Sequence, residues 1–250
     1  MDVRRGTRVL GILAPAGAGL VGLIRDAIAL REAGADVVDL DALPGGAFAE
    51  ADADTIALLV RGLSEAGVPT SVATTSAEVA ANAIEHGVGW ILDPSAGSDD
   101  PAMRGVVAAS RAGWIIGPWS PHGARGAGGE VAERYAEGLV RNIAGLLDAG
   151  VRPDRIVLDA GVGVSAADPE PWRMLNSLDR IAALGYPVLV DASEDTLAAV
   201  SSDDAEDRLE DAAVGLAVLA AGHAAWGVRT RRVGRVAGVV QRIAEPRQAV

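Results

Sequence analysis

DTIALLVRGLSEAGVPTSVATTSAEVAANAIEHGVGWILDP, residues 54–94, contains the same unit twice. Asp54–Ala66 carries apolar residues at helical spacing and closes on Gly67. A short β-branched run follows, VPTSVAT from Val68, and then the pattern begins again. Ala77–His86 is helical in spacing, Gly87 closes it, and VGWILDP from Val88 is another near-continuous apolar run. Strands covered on both faces read this way, because neither face needs polar residues. A glycine just past a helix suits the left-handed conformation that ends it.

The unit recurs in both directions. Upstream lie RVLGIL from Arg8 and ADVVDLD from Ala35, with a helix at Leu20–Ala33 closing on Gly34. Downstream come GWIIGP from Gly113, RIVLDAG from Arg155, YPVLVDAS from Tyr186 and AAWGVRT from Ala224. Between and after them the spacing predicts helices at Ala102–Arg111, Val131–Ala149, Pro171–Leu184, Asp207–Ala221 and Val233–Ala244. Gly113, Gly150, Gly185 and Gly222 are read as further helix-closing glycines. About eight β–α units in 250 residues is the rhythm of a single (β/α)8 TIM barrel. A doubly wound open sheet shares the alternation with fewer strands and is the alternative. No linker or low-complexity tract divides residues 1–250, so one domain is expected.

Composition excludes several chemistries. All 22 basic residues are arginine. Without lysine there is no Walker-type phosphate loop and no Schiff-base catalysis. Without cysteine there is no disulfide, thiolate nucleophile or Cys-ligated metal. A net charge of −12 argues against nucleic acid and anionic membrane as partners. No segment reaches the roughly 18 uninterrupted apolar residues of a membrane span. The apolar run Val9–Ala18 is short and broken by Pro15, so it reads as a first strand and its loop rather than a signal peptide. A cytoplasmic protein is expected.

In a barrel of this kind, chemistry sits at the C-terminal ends of the strands. Those ends present Asp39 and Asp41, Asp93, Asp159, Asp191 with Ser193, and Arg229 with Arg231. Asp39 and Asp41 are two apart and therefore share a face. Carboxylates converging on one mouth suit a divalent metal or the donor edge of an amino-pyrimidine; singly, each suits the cap of a turn. Arg229 suits a phosphate or carboxylate, or an ion pair with the neighbouring aspartates. His122, in the Gly-rich SPHGARGAGG loop, is the best placed histidine; His86 at a helix end and His223 at the opposite end of the barrel read as structural. The acids Asp203, Asp204, Glu206 and Asp207 read as a solvated helix start.

The order of these strand ends resembles the dihydropteroate synthase family of pterin-binding barrels over nearly the whole chain. GADVVDL resembles that family's G-A-D-I-I-D-V/L, and SVATTSAEVAANAIEHGVGWILD its S-V-D-T-x-x-A-x-V-A…G-A-x-x-I-N-D. GVRPDRIVLDAGVGV resembles G-I-x-x-x-x-I-x-L-D-P-G-I-G-F, GYPVLVDASED resembles G-x-P-x-L-x-G-x-S-R-K, and GVRTRRV resembles R-V-H-D-V. The resemblance implies condensation of 6-hydroxymethyl-dihydropterin pyrophosphate with p-aminobenzoate, a transferase step of folate synthesis aided by Mg²⁺, and a homodimer.

Position by position, much of the family's equipment is replaced. The strand 1 Asn that binds pyrophosphate and metal corresponds to Ala14, and the Ser-Thr-Arg-Pro loop after strand 2 is LDALPGG. The pterin-binding Asp and Asn correspond to Ala73 and Leu92, while Asp93 survives beside the latter. The Phe and Lys after strand 6 correspond to Val164 and Ala166, and the Arg-Lys after strand 7 to Glu194-Asp195. The final His and Asp correspond to Arg231 and Arg232. Retained are Asp159, matching the Asp that reads the pterin amino edge, Ser193, and Arg229, matching the phosphate-binding Arg. The expected ligand residues are therefore Asp159, Arg229, Asp93, Ser193 and Arg231, for a pterin-like or anionic small molecule. The family condensation is expected to be lost or redirected. A non-catalytic barrel serving as a partner subunit and a working synthase are the alternatives.

Overall fold

The computed structural model describes residues 6–14, 19–117, 131–162, 178–201 and 206–244. Eight parallel strands close into a barrel in sequence order. They are β1 (Arg8–Ile12), β2 (Val37–Asp41), β3 (Thr70–Ala73), β4 (Trp90–Asp93), β5 (Gly113–Ile116), β6 (Ile156–Asp159), β7 (Val188–Ala192) and β8 (Gly227–Thr230). β8 pairs back onto β1, with Leu10 opposite Arg229, so no edge strand is left. The fold is a (β/α)8 TIM barrel, as the alternation of the sequence implies.

The described helices are α1 (Gly19–Glu32), α2 (Ala53–Glu65), α3 (Ala77–Glu85), α4 (Ala102–Ala108) and α5 (Val131–Asp148), then α6 (Leu178–Ala182), α7 (Glu194–Ser201), α8 (Glu206–Gly222) and α9 (Val233–Ala244). Side chains start two of them where the sequence supplies a short acceptor: Asp52 accepts from the Thr55 amide at 2.7 Å, and Ser76 from Val79 at 3.3 Å. Gly34, Gly67, Gly87, Gly150 and Gly185 follow helices with positive φ, as expected. Gly113 and Gly222 do not. Gly222 is the last residue of α8, and Ala224 takes the left-handed conformation with φ 52°. Gly113 opens β5, where a Cβ would stand 2.0 Å from the Trp90 ring, so packing and not chain reversal requires it. The short helix α7 and the 3₁₀ turn Pro153–Arg155 were not anticipated. Among the described residues no helix is long and apolar enough to cross a membrane.

Alternation along the strands divides the molecule into two apolar regions. Val9, Val38, Leu40, Val72, Ile91, Trp114, Leu158, Val190 and Val228 point outward and pack under the helices. Leu10, Val37, Ala73, Leu92, Ile115, Val157, Leu189 and Trp226 fill the barrel interior. Trp90 meets Trp226 edge to face at 4.7 Å, and Arg8 lies over the Trp226 ring at 5.1 Å. With so few aromatic residues, the interior is built from branched aliphatics, which suit the narrow taper of the barrel. The layer above, towards the strand C-termini, is polar.

A buried arginine and four aspartates at the barrel mouth

Register brings the polar layer together. Asp39 lies opposite Ser71 across β2 and β3, and Asp191 opposite Arg229 across β7 and β8. Arg229, only 4% exposed, is the centre of the layer. Its Nε donates to Asp39 Oδ2 at 2.8 Å. Its Nη2 is 2.8 Å from Asp41 Oδ2, and its Nη1 is 3.5 Å from Asp191 Oδ2. The ion-pair reading of Arg229 is the one realised, with three carboxylates rather than one. Low polarity strengthens these attractions, and they offset part of the several kcal/mol that burying each charge costs.

Four aspartates facing one arginine leave an excess of negative charge. Burial raises the pKa of Asp39 and Asp191 above the usual carboxylate value, and Arg229 counters only part of that rise. Asp39 also accepts a hydrogen bond from Ser71 Oγ at 2.5 Å. Asp159 has no such direct cation. Burial, and then the charge of Asp191, push its pKa to about 7, against a hydrogen bond from the Gly161 amide that favours the ionised form. At neutral pH it is therefore poised between carboxyl and carboxylate.

The turn that carries Asp159 is held from two sides. The phenol of Tyr135, from α5, donates to the Asp159 main-chain oxygen at 3.1 Å. Thr196 Oγ1, from α7, donates to the Val162 oxygen at 3.2 Å. Neither residue was singled out from sequence. Tyr135 had one available signal: it is one of two tyrosines in a chain that is 3% aromatic.

Asp93 does not join this set. Leu92 points into the barrel, so Asp93 takes the outward side. It is fully buried, and both its oxygens are used: Oδ1 accepts from the Ser95 amide and hydroxyl, Oδ2 from the Gly97 amide at 2.7 Å. This is the turn cap. Ser193 stays near the mouth, donating to Asp191 Oδ2 at 3.1 Å. Arg231 pairs with Glu194 at 3.0 Å. Arg232, 9% exposed, reaches both Glu194 and Glu206, the latter at 3.0 Å. Each of these two arginines already has a carboxylate partner. Of the remaining candidates, His86 bonds its own helix through the Asn82 oxygen at 2.8 Å. His223 pairs with Asp179 at 2.7 Å beyond the other end of the barrel. His122, Val164 and Ala166 lie outside the described residues, as does the side chain of Asp195.

Comparison with known proteins names the scaffold. Residues 20–232 match the model of the family described as "Pterin binding enzyme". The chain belongs to that family. It is dihydropteroate synthase-like in sequence: it is 31% identical over 227 residues to the dihydropteroate synthase of Mycobacterium leprae, covering 84% of this chain and 80% of that protein. It is 32% identical over 192 residues to a probable bifunctional folylpolyglutamate synthase/dihydropteroate synthase of Halobacterium salinarum, covering 70% of this chain but 23% of that longer protein. The barrel superposes on the dihydropteroate synthase of Xanthomonas albilineans in complex with 7,8-dihydropteroate with a TM-score of 0.78 and 23% identity, covering 94% and 91% of the two chains. For the Yersinia pestis enzyme with a pterine-sulfa conjugate the TM-score is 0.84 at 19% identity, covering 98% and 95%. These two likenesses establish the fold.

Asp191 at the end of β7 and Glu194 just after it add acidic groups to the mouth. Magnesium, implied by the family resemblance, does not fit the described residues. Ala14 brings no side-chain donor to the end of β1. Asp39, Asp41 and Asp191 are already drawn onto Arg229. No group of three His, Cys, Asp or Glu among the described residues is arranged to hold a metal ion.

Proposed function

We propose that the barrel mouth binds a pterin-like heterocycle through Asp159, and that it no longer carries out the pyrophosphate-releasing condensation. The observation that carries this reading is the engagement of Arg229 by Asp39, Asp41 and Asp191. The family reaction builds negative charge on departing pyrophosphate, and catalysis needs cations directed at that charge. Here the retained phosphate-binding arginine faces three acids, and Glu194 occupies a position where the family has a cation. Losing one electrostatic contact of this type typically costs about 2.7–4 kcal/mol of transition-state stabilisation. Several such losses remove the reaction. A neutral heterocycle with adjacent N–H donors meets no such obstacle, because Asp159 offers acceptors and the surroundings favour donors.

Titration calorimetry with 6-hydroxymethyl-7,8-dihydropterin, and separately with its pyrophosphate ester and Mg²⁺, tests the reading. The free pterin should bind, and the ester should bind no tighter. The gene should also fail to restore growth without folate end products to a strain lacking dihydropteroate synthase. Growth of that strain would overturn the proposal in favour of a working synthase. Absence of pterin binding would favour a barrel acting as a partner subunit.

A further inference from the structure

The four residues that place Asp159 are fixed by contacts from two helices of the outer ring. Asp159 Oδ1 accepts from the Gly161 amide at 2.8 Å, which bends the chain back at the end of β6. Gly161 has φ 67°, and a Cβ there would lie 2.1 Å from Tyr135 Cζ and 2.4 Å from its hydroxyl. The phenol of Tyr135 thus lies directly on the turn while donating to the Asp159 carbonyl. On the far side, Thr196 Oγ1 donates to the Val162 carbonyl and lies 3.3 Å from Ser193 Oγ. Ser193 in turn donates to Asp191, the neighbour whose charge acts on Asp159. Both side chains are buried, Tyr135 at 7% exposure and Thr196 at 4%.

We propose that Tyr135 and Thr196 are positioning residues, which bracket the turn at residues 159–162 and aim the Asp159 carboxyl into the barrel mouth. The proposal rests on Asp159 being the group that reads the ligand's donor edge. A buried residue that only filled space would need neither hydroxyl. Here each hydroxyl is spent on a main-chain oxygen of the same turn, and the tyrosine ring leaves room only for glycine at 161. Thr196 also lies against Ser193, whose own proton goes to Asp191, so the turn packs beside the second acid. Charged and titratable groups facing Asp159 are Asp191 on β7, Arg229 on β8 and Tyr135 on α5, with Asp39 and Asp41 on β2 beyond Arg229.

Tyr135→Phe and Thr196→Val remove the hydroxyls and keep the volumes. Carbon-13 carboxyl NMR of the whole unliganded protein should place the Asp159 midpoint near 7 in the wild type. In each variant it should fall, by up to about one pH unit, as the loosened turn lets water reach the carboxyl. Affinity for 6-hydroxymethyl-7,8-dihydropterin should drop about fivefold, the size of one neutral hydrogen bond. Superposable Asp159 titrations and unchanged pterin affinity in both variants would overturn the proposal. If the wild type binds no pterin, the ligand reading fails, and the Asp159 titrations alone still decide the positioning role.

Discussion

Asp159→Asn is the sharpest probe of the mouth, because it removes a charge and keeps the shape. The amide oxygen of Asn can still accept from the Gly161 amide, so the turn is retained. In the folded protein the Asp159 pKa rises from 3.8 to about 7. A carboxylate with a raised folded-state pKa destabilises the protein whenever it is ionised. That cost is absent below about pH 4, grows between pH 4 and 7, and is complete above pH 7. At 1.36 kcal/mol per pH unit the full rise corresponds to about 4 kcal/mol. The carboxyl is only partly buried, so solvent screening reduces the expected effect to about 2 kcal/mol at pH 8, and to less than half of that at pH 5. Urea unfolding followed by circular dichroism should therefore show Asp159→Asn to be more stable than the wild type at pH 8. The gap should shrink by about 1 kcal/mol or more at pH 5. A gap that is equal at the two pH values, or a variant less stable at pH 8, would refute the charge crowding inferred for the mouth.

Two further variants follow from the same arrangement. Arg229→Met strands Asp39, Asp41 and Asp191 in the interior and should cost about 3–5 kcal/mol; because Arg229 lowers the pKa of Asp39 and Asp191, its loss raises them further, and the urea-measured deficit should be larger at pH 8 than at pH 5. Glu194→Arg breaks the pairs with Arg231 and Arg232 and gathers three arginines at one edge of the mouth. Calorimetry should then show inorganic pyrophosphate binding at least about tenfold tighter than to the wild type, a gain of ~1.4 kcal/mol, and equal affinities would show that Glu194 is not what repels the anion.

The barrel was legible because its strands are buried on both faces and its helices on one. Each β-branched run from Arg8 to Ala224 became a strand, and the helical spacings became helices within a few residues of their expected ends, except at Pro171–Leu184, where the described helix is Leu178–Ala182 and residues 171–177 lie outside the described residues. Five of the helix-closing glycines are local features, decided by residues within a turn of each other. The resemblance to pterin-binding barrels depended on the order and spacing of such local pieces, and it too survived. The departures expected at Ala14 and Glu194 rest on the sequence alone.

What the amino-acid sequence determined by itself is thus the alternation, the family and the stock of charges at the strand ends. Which of those charges meet was left to tertiary structure. WILD at the end of β4 and IVLD at the end of β6 close on the same Leu-Asp pair, yet Asp93 caps a turn outside the barrel and Asp159 faces the mouth. The strands enter the barrel with opposite register: Leu92 points inward and Leu158 outward. A shift of one residue turns every side chain to the other face, and nothing in the four letters records it. The fate of Arg229 was undecided for a related reason. Its partners lie 190, 188 and 38 positions away in sequence, and only closure of β8 against β7 and β1, with β2 next to β1, places Asp39, Asp41 and Asp191 within reach. Charge pairing across a closed barrel follows distance in space, and that distance exists only once the last strand has closed the sheet.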